Sequence, residues 1–185
     1  MKNYLKNRKI LEEGHVYSKS MEHDACGVGL IVSTEGKKSR KVVEYGINAL
    51  KAVFHRGAVD ADGKTGDGAG IHLEIPSDFF AEKIELTGHK HDGTEICVGM
   101  IFLPRNNYAA QENARTLVES ELTKSNFSIY GWRQVPVNTK VLGEKANFTR
   151  PEITQVLFKN NDKNLTGKEL ERKLYESRRK IEKEA

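Results

Sequence analysis

The apolar residues of this chain come in short runs, and that grouping limits the fold more than any other feature. Residues 27–33 (GVGLIVS), 96–103 (ICVGMIFL) and 153–158 (ITQVLF) are compact and rich in β-branched residues, the mark of strands with a buried face. Residues 71–75 alternate Ile71, Leu73 and Ile75 with His72 and Glu74 ahead of Pro76, the pattern of a half-buried strand. Residues 127–133 and 135–141 read as two further strands divided near Pro136. Between these runs lie stretches of helical period. Val43, Ile47, Leu50 and Phe54 share one helix face, with Ser39 at the N-cap position. Residues 77–86 suit a short helix, and 107–124 a longer one with Ala114, Leu117, Val118 and Leu122 on one side. Thr166 and Glu169 fit a capping box ahead of a helix carrying Leu170, Leu174 and Ile181. A short helix is also expected near Leu5 to Leu11. Strands mixed with helices in this way define an α+β or layered α/β class, and α+β is the reading adopted.

No apolar run nears the roughly 20 residues that span a bilayer. The N-terminus lacks the apolar stretch of a secretory signal, so a cytoplasmic location is expected. The 185 residues suffice for one domain with its own core. Of the net charge of +4, residues 1–25 carry five Lys/Arg against four Asp/Glu, and residues 166–185 carry seven against five. The basic excess is therefore shared with the ends of the chain. Without a basic stripe interleaved with aromatics, nucleic-acid binding is not indicated. Two cysteines and no Cys-x-x-Cys pair argue against a disulfide scaffold and against a zinc site. His89 and His91 lie in a Gly-rich loop and read as a solvated turn; no metal site is expected.

Three places concentrate chemistry. Cys26 precedes Gly27-Val28-Gly29, where glycines let backbone or ligand come close to the sulfur. A lone cysteine is either a small buried hydrophobe or a nucleophile. Cys97, between Ile96 and Val98 on an apolar strand, takes the first role. Arg56 and Gly57 close the first long helix, either as a C-cap with a surface arginine or as electrostatic support for a site. Residues 60–70 (DADGKTGDGAG) lack the Gly-Lys-Ser/Thr ending of a phosphate loop and the dinucleotide-binding spacing. They read as a tight turn that Asp67 orders.

In chain order, HDACGVGLIV (23–32), ALKAVFHRGA (49–58), ADGKTGDGAGI (61–71), VGMIFLP (98–104), GWRQVPVNTKVLG (131–143) and PEITQVLF (151–158) resemble the start of the large subunit of the glutamate synthases. The resemblance covers about residues 22–185. It implies a class II glutamine amidotransferase domain of the N-terminal-nucleophile hydrolases, a four-layer αββα sandwich that is incomplete here. It also implies that residues 1–25 are a leader whose removal makes Cys26 the first residue, with 26–185 the N-terminal part of the domain. Cys26 is then the catalytic thiol and L-glutamine the substrate. Gly27, Arg56, Gly57 and Asp67 are expected near the site. The ammonia would pass to 2-oxoglutarate elsewhere in the enzyme, where FMN and an iron–sulfur cluster serve. The partner is the remainder of a glutamate synthase chain or a complementary subunit.

The family draws its oxyanion donors from an HNGEIN-like motif and its substrate clamp from an HSRFSTNT-like motif. Neither occurs in this sequence, and the resemblance places both beyond residue 185. Little or no glutaminase activity is expected of these residues alone. Two other readings stay open: a non-catalytic interaction fragment that pairs with a separately encoded remainder, and a thiol redox protein using Cys26 and Cys97.

Overall fold

The structure, a computed structural model, describes residues 6, 7, 9, 10, 13, 14 and 27–185. Most of residues 1–25, Cys26, and Leu5, Arg8 and Leu11 of the expected helix lie outside the described residues. Of that helix, Lys6, Asn7, Lys9 and Ile10 are helical. The chain divides into two compact units, one built from residues up to Ala58 with Gly66–Ile71, the other from Val59–Thr65 with His72–Ala185.

The second unit is organised by a three-stranded antiparallel sheet. Its strands are β1 (Ile96–Leu103), β2 (Phe127–Gln134) and β3 (Glu152–Asn160), in the order β1-β3-β2. β3 is central because its residues can be buried on both faces: Thr154, Gln155, Val156, Leu157 and Phe158 are all buried. Successive residues point to opposite faces. Cys97, Val156, Phe158 and Phe127 meet Val118, Leu122 and Leu170 on one face. The helices that cover this face are α3 (Tyr108–Lys124) and α5 (Gly167–Glu184). On the other face Ile96, Tyr130 and Leu157 meet Phe80 and Ile84 of helix α2 (Ser77–Glu85). That cover is partial. Met100 and Phe102, farther along β1 on the same face, are 48% and 64% exposed.

β2 holds a bulge, since Ile129 faces Phe158 and Gly131 faces Leu157, leaving Tyr130 as the extra residue. Gly131 has φ +144°, and a β-carbon there would meet Thr87 Cγ2 at 3.0 Å. Glycine is required at this position by conformation and by space alike.

The first unit is built on helix α1 (Arg40–Ala52). Ser39 occupies its N-cap position but its side chain makes no capping hydrogen bond. The expected apolar face is present and only half-buried at Val43, Ile47 and Leu50, while Phe54 is exposed. Segment 66–71 runs against this helix. Ile71 Cδ1 would lie 3.0 Å from a β-carbon on Gly46, so the glycine makes room for it.

Four local expectations differ from the structure. Residues 27–33 and 71–75 form no strand, and Val28 and Leu30 are 92% and 83% exposed. Their apolar patterns describe a face that favours burial, but a strand also needs a neighbour for its backbone hydrogen bonds, and none pairs with them among the described residues. The second half of the divided strand, 135–141, is irregular and ends in a 3-10 turn, Thr139–Val141. Pro136 withholds an N–H from any ladder there. Thr166 stands at the N-cap of α5 without a side-chain bond, so the capping box is present in sequence and unformed in space. A six-residue helix, α4 (Glu144–Thr149), was not indicated by the sequence pattern.

Candidate functional site

The segment that joins α1 to the Gly/Asp-rich loop is compact. After Ala52 the backbone tightens into a 3-10 turn, Phe54–Arg56. Arg56 N donates to Val53 O at 2.9 Å, and Gly57 N to Phe54 O at 3.0 Å. Gly57 ends this turn with an extended backbone (φ −81°, ψ 139°), not the left-handed C-cap conformation a helix-terminal glycine commonly adopts. The chain then straightens, and the Ala58 amide donates to Asp67 Oδ2 at 2.8 Å. The Asp67 carboxylate thus ties its own loop to the residue two places after Arg56. Gly66 lies alongside, where a β-carbon would sit 3.3 Å from Ala58 O.

Gly27 reaches the same place from another part of the chain. A β-carbon on it would lie 3.6 Å from Val53 Cβ and 3.7 Å from Arg56 Cβ and Cγ. The residue that follows Cys26 therefore packs on the stem of Arg56. Among the described residues the Arg56 guanidinium makes no hydrogen bond or ion pair, and it is the Cβ and Cγ of this side chain that lie against Gly27. A positive charge near a thiol favours the thiolate. The structure thus brings together Gly27, Arg56, Gly57 and Asp67, four residues drawn from three separate stretches of sequence. Cys26 itself lies outside the described residues.

Cys97 has the opposite environment. It is buried beneath α5 in the sheet core. Burial first, then the Glu95 and Glu171 charges, pushes its thiol up to about 12. Such a group is a protonated core residue at neutral pH, which argues against a redox pair with Cys26.

Two carboxylates outside this cluster are well below the usual carboxylate range. Asp62 is held there mainly by the Thr65 hydroxyl and by backbone amides, and Asp92 mainly by Lys159. Asp92 Oδ2 meets Lys159 Nζ at 2.5 Å while Oδ1 takes the Thr94 hydroxyl at 2.6 Å. His89 and His91, expected as a solvated turn, stand with their rings edge-on to Tyr130 at 6.1 and 6.4 Å. His91 Nε2 bonds Thr94 O at 2.9 Å, so this turn is anchored by side chains. The sequence held no signal for that anchoring, because Tyr130 is distant in the chain and its position depends on the bulge. Among the described residues no group of three or more His, Cys, Asp or Glu could hold a metal ion, and no helix is long and apolar enough to cross a membrane.

The pattern of the class II glutamine amidotransferases matches residues 26–185. The chain belongs to that family. Its similarity within the family runs to the glutamate synthases. It is 52% identical over 177 residues to the glutamate synthase [NADPH] large chain of Azospirillum brasilense, covering 96% of this chain and 12% of that protein. It is 40% identical over 158 residues to ferredoxin-dependent glutamate synthase 2 of Synechocystis, covering 85% and 10%. With the chloroplastic/mitochondrial ferredoxin-dependent glutamate synthase 1 of Arabidopsis thaliana the identity is 39% over 164 residues, covering 87% and 10%. The chain thus spans about a tenth of the length of these relatives.

Proposed function

We propose that this chain carries the glutamine-hydrolysing half-reaction of a glutamate synthase, with Cys26 as nucleophile after residues 1–25 are removed. The observation that carries the reading is the start of the family match, which opens on Cys26 itself. Residues 1–25 fall outside that match, as a leader would. An amide nitrogen is not basic, whereas a freed α-amine has a pKa of roughly 8 and can take the thiol proton.

In this reading the Cys26 sulfur attacks the side-chain carboxamide carbon of glutamine. The carbonyl oxygen takes up negative charge in the tetrahedral intermediate. The C–N bond then breaks, the proton held by the amine passes to the leaving nitrogen, and ammonia departs. Water adds to the thioester, the C–S bond breaks, and glutamate is released with the thiol restored. Gly27 keeps the approach to the sulfur open. Arg56 favours the thiolate, and Asp67 fixes the backbone beyond Gly57. Oxyanion donors and a carboxylate clamp come from outside these residues. Loss of a single oxyanion donor costs ~100- to 1,000-fold in rate, so this segment alone releases little ammonia.

The wider assignments belong to the same proposal. The fold is one part of a four-layer αββα sandwich; the open apolar face around Met100 and Phe102 supports a second sheet lying over it. The remainder of a glutamate synthase is the partner, receives the ammonia and transfers it to 2-oxoglutarate, in the cytoplasm. FMN and an iron–sulfur cluster belong to that remainder. A cluster held by four thiolates has no counterpart in a chain with two cysteines, one of them buried.

The test is Cys26→Ala in a glutamate synthase carrying this segment. Glutamine hydrolysis is lost while glutamate formation from added ammonia persists. Hydrolysis that survives the substitution overturns the assignment. The intact mass of the wild-type protein, lacking residues 1–25, checks the leader.

A further inference from the structure

Segment 59–65 links Arg56-Gly57-Ala58 to Gly66-Asp67 in sequence, and its conformation is fixed more tightly than an exposed loop requires. Asp62 Oδ1 accepts from the amides of Lys64 at 2.9 Å and Thr65 at 2.7 Å, and Asp62 Oδ2 accepts from Thr65 Oγ1 at 2.5 Å. Asp60 N donates to Thr65 O at 2.7 Å, and Gly63 N to Asp60 O at 2.9 Å. The segment is also bound outward. The backbone of Glu144, at the start of α4, adds a small part to holding the Asp62 carboxyl below its usual range, and Lys145 Nζ reaches Asp60 Oδ2 at 2.7 Å.

This docking exists because residue 143 has no side chain. A β-carbon on Gly143 would overlap Thr65 Oγ1 and Asp62 Oδ2 and come within 2.6 Å of the Thr65 nitrogen. Gly143 has φ −68° and ψ 165°, a conformation open to any residue. Glycine is therefore needed here for close approach and not for backbone freedom.

We propose that Asp62, Thr65 and Gly143 form a clasp that acts as a set of positioning residues for the glutaminase centre. The clasp holds segment 59–65, and through the two ends of that segment it restrains the backbone of Arg56-Gly57 and of Asp67. Its purpose rests on the function proposed above; its existence does not. With the clasp closed, the Arg56 stem keeps its place against Gly27, the residue that follows the proposed nucleophile. With the clasp open, the stretch from 57 to 67 gains freedom, and the packing of the Arg56 stem on Gly27 loosens.

Two readouts on a glutamate synthase carrying this segment test this. The first is amide hydrogen exchange in Gly143→Ala and Thr65→Val, with Thr65→Ser as the variant that keeps the hydroxyl. Exchange across 59–65 rises by on the order of tenfold in the first two and stays near wild type in the third. Peptides of β1 and β3 serve as the control for folding and do not change. Unaltered exchange at 59–65, or a rise spread equally over β1 and β3, overturns the clasp. The second readout is the pH dependence of Cys26 alkylation by iodoacetamide, followed by mass so that Cys97 is scored separately. Loss of a nearby cation moves the midpoint upward by roughly half a unit or more. Gly143→Ala and Arg56→Ala both produce this shift. If Arg56→Ala shifts the midpoint and Gly143→Ala does not, the positioning role is wrong although the site reading stands. If neither shifts it, the site reading fails and the positioning role falls with it, while the exchange result on the clasp holds independently.

Discussion

Leu157→Ala tests whether the central strand is the keystone of the larger unit. Leu157 is fully buried, and it joins Phe80 and Ile84 of α2 to Ile96 of β1 and Tyr130 of β2. The substitution removes three carbons, and at ~0.8 kcal/mol per buried methylene the transfer contribution is about 2.4 kcal/mol. Collapse of the site is restricted. The β3 backbone is paired on both sides, with Leu157 facing Val98 and Gly131, and the bulge at Tyr130 is wedged against Thr87. A residual cavity therefore adds to the loss, bringing it to roughly 3–5 kcal/mol. Equilibrium unfolding in urea, read by the fluorescence of the sole tryptophan, Trp132 on β2, measures it. With a slope of ~1–3 kcal/mol per M, the midpoint falls by at least about 1 M. Leu86→Ala is the matched control, because the same side chain is 79% exposed there and its loss costs within about 0.5 kcal/mol. Equal midpoints for the two variants would refute the keystone argument.

Gly131→Ala combines a disallowed φ with a contact on Thr87 and lowers stability by roughly 1–3 kcal/mol, measured as a fall in thermal midpoint. Adding Thr87→Ala removes the contact and recovers only part of the loss. Asp92 has a depressed folded pKa through Lys159 and Thr94. Its contribution is present above the unfolded value of ~3.9 and is lost as pH falls through the folded pKa. The gap in thermal midpoint between wild type and Asp92→Asn therefore narrows as pH is taken from 7 to 2; a constant gap refutes the linkage. Cys97, pushed up to about 12 and buried, does not react with a thiol reagent at pH 8 in the folded chain. Titration yields at most one thiol before denaturation and two after it.

The elements legible in sequence are those whose pattern contains its own solution. A helix such as α3 satisfies its backbone internally, so the period of Leu117, Val118 and Leu122 is sufficient evidence. β3 was legible because ITQVLF is apolar enough for burial on both faces, and the structure places it at the centre of the sheet. Residues 27–33 carry an equally apolar pattern and form no strand, because pairing depends on a second segment that the pattern does not name. The site divides in the same way. Cys26, Arg56 and Asp67 stand in short motifs and could be picked out. The packing of Gly27 on the Arg56 stem and the bond from Ala58 to Asp67 are tertiary facts. Gly143 stands in the sequence only as part of a motif, since its role is to admit three atoms of a loop far back in the chain.

The distribution of burial bears directly on how the chemistry is supported. The sheet unit has two buried clusters and none of Gly27, Arg56, Gly57 or Asp67 belongs to it. Those four residues sit in the unit built on α1, which among the described residues has no buried residue of its own and leaves Val28, Leu30 and Val32 largely exposed. Segments with little buried apolar surface open at low free-energy cost, while the proposed nucleophilic thiol and its supporting charge would need fixed geometry to act. Helix α1 with its apolar stripe and the GVGLIV run therefore depend on further apolar surface to become rigid. In the proposed function, a surface covering Val28 and Leu30 would matter to the site as much as the groups that bind glutamine. If the proposed function holds, Val28→Asp or Leu30→Asp lowers glutamine hydrolysis in a glutamate synthase carrying this segment and leaves the unfolding of the sheet unit, reported by Trp132, unchanged.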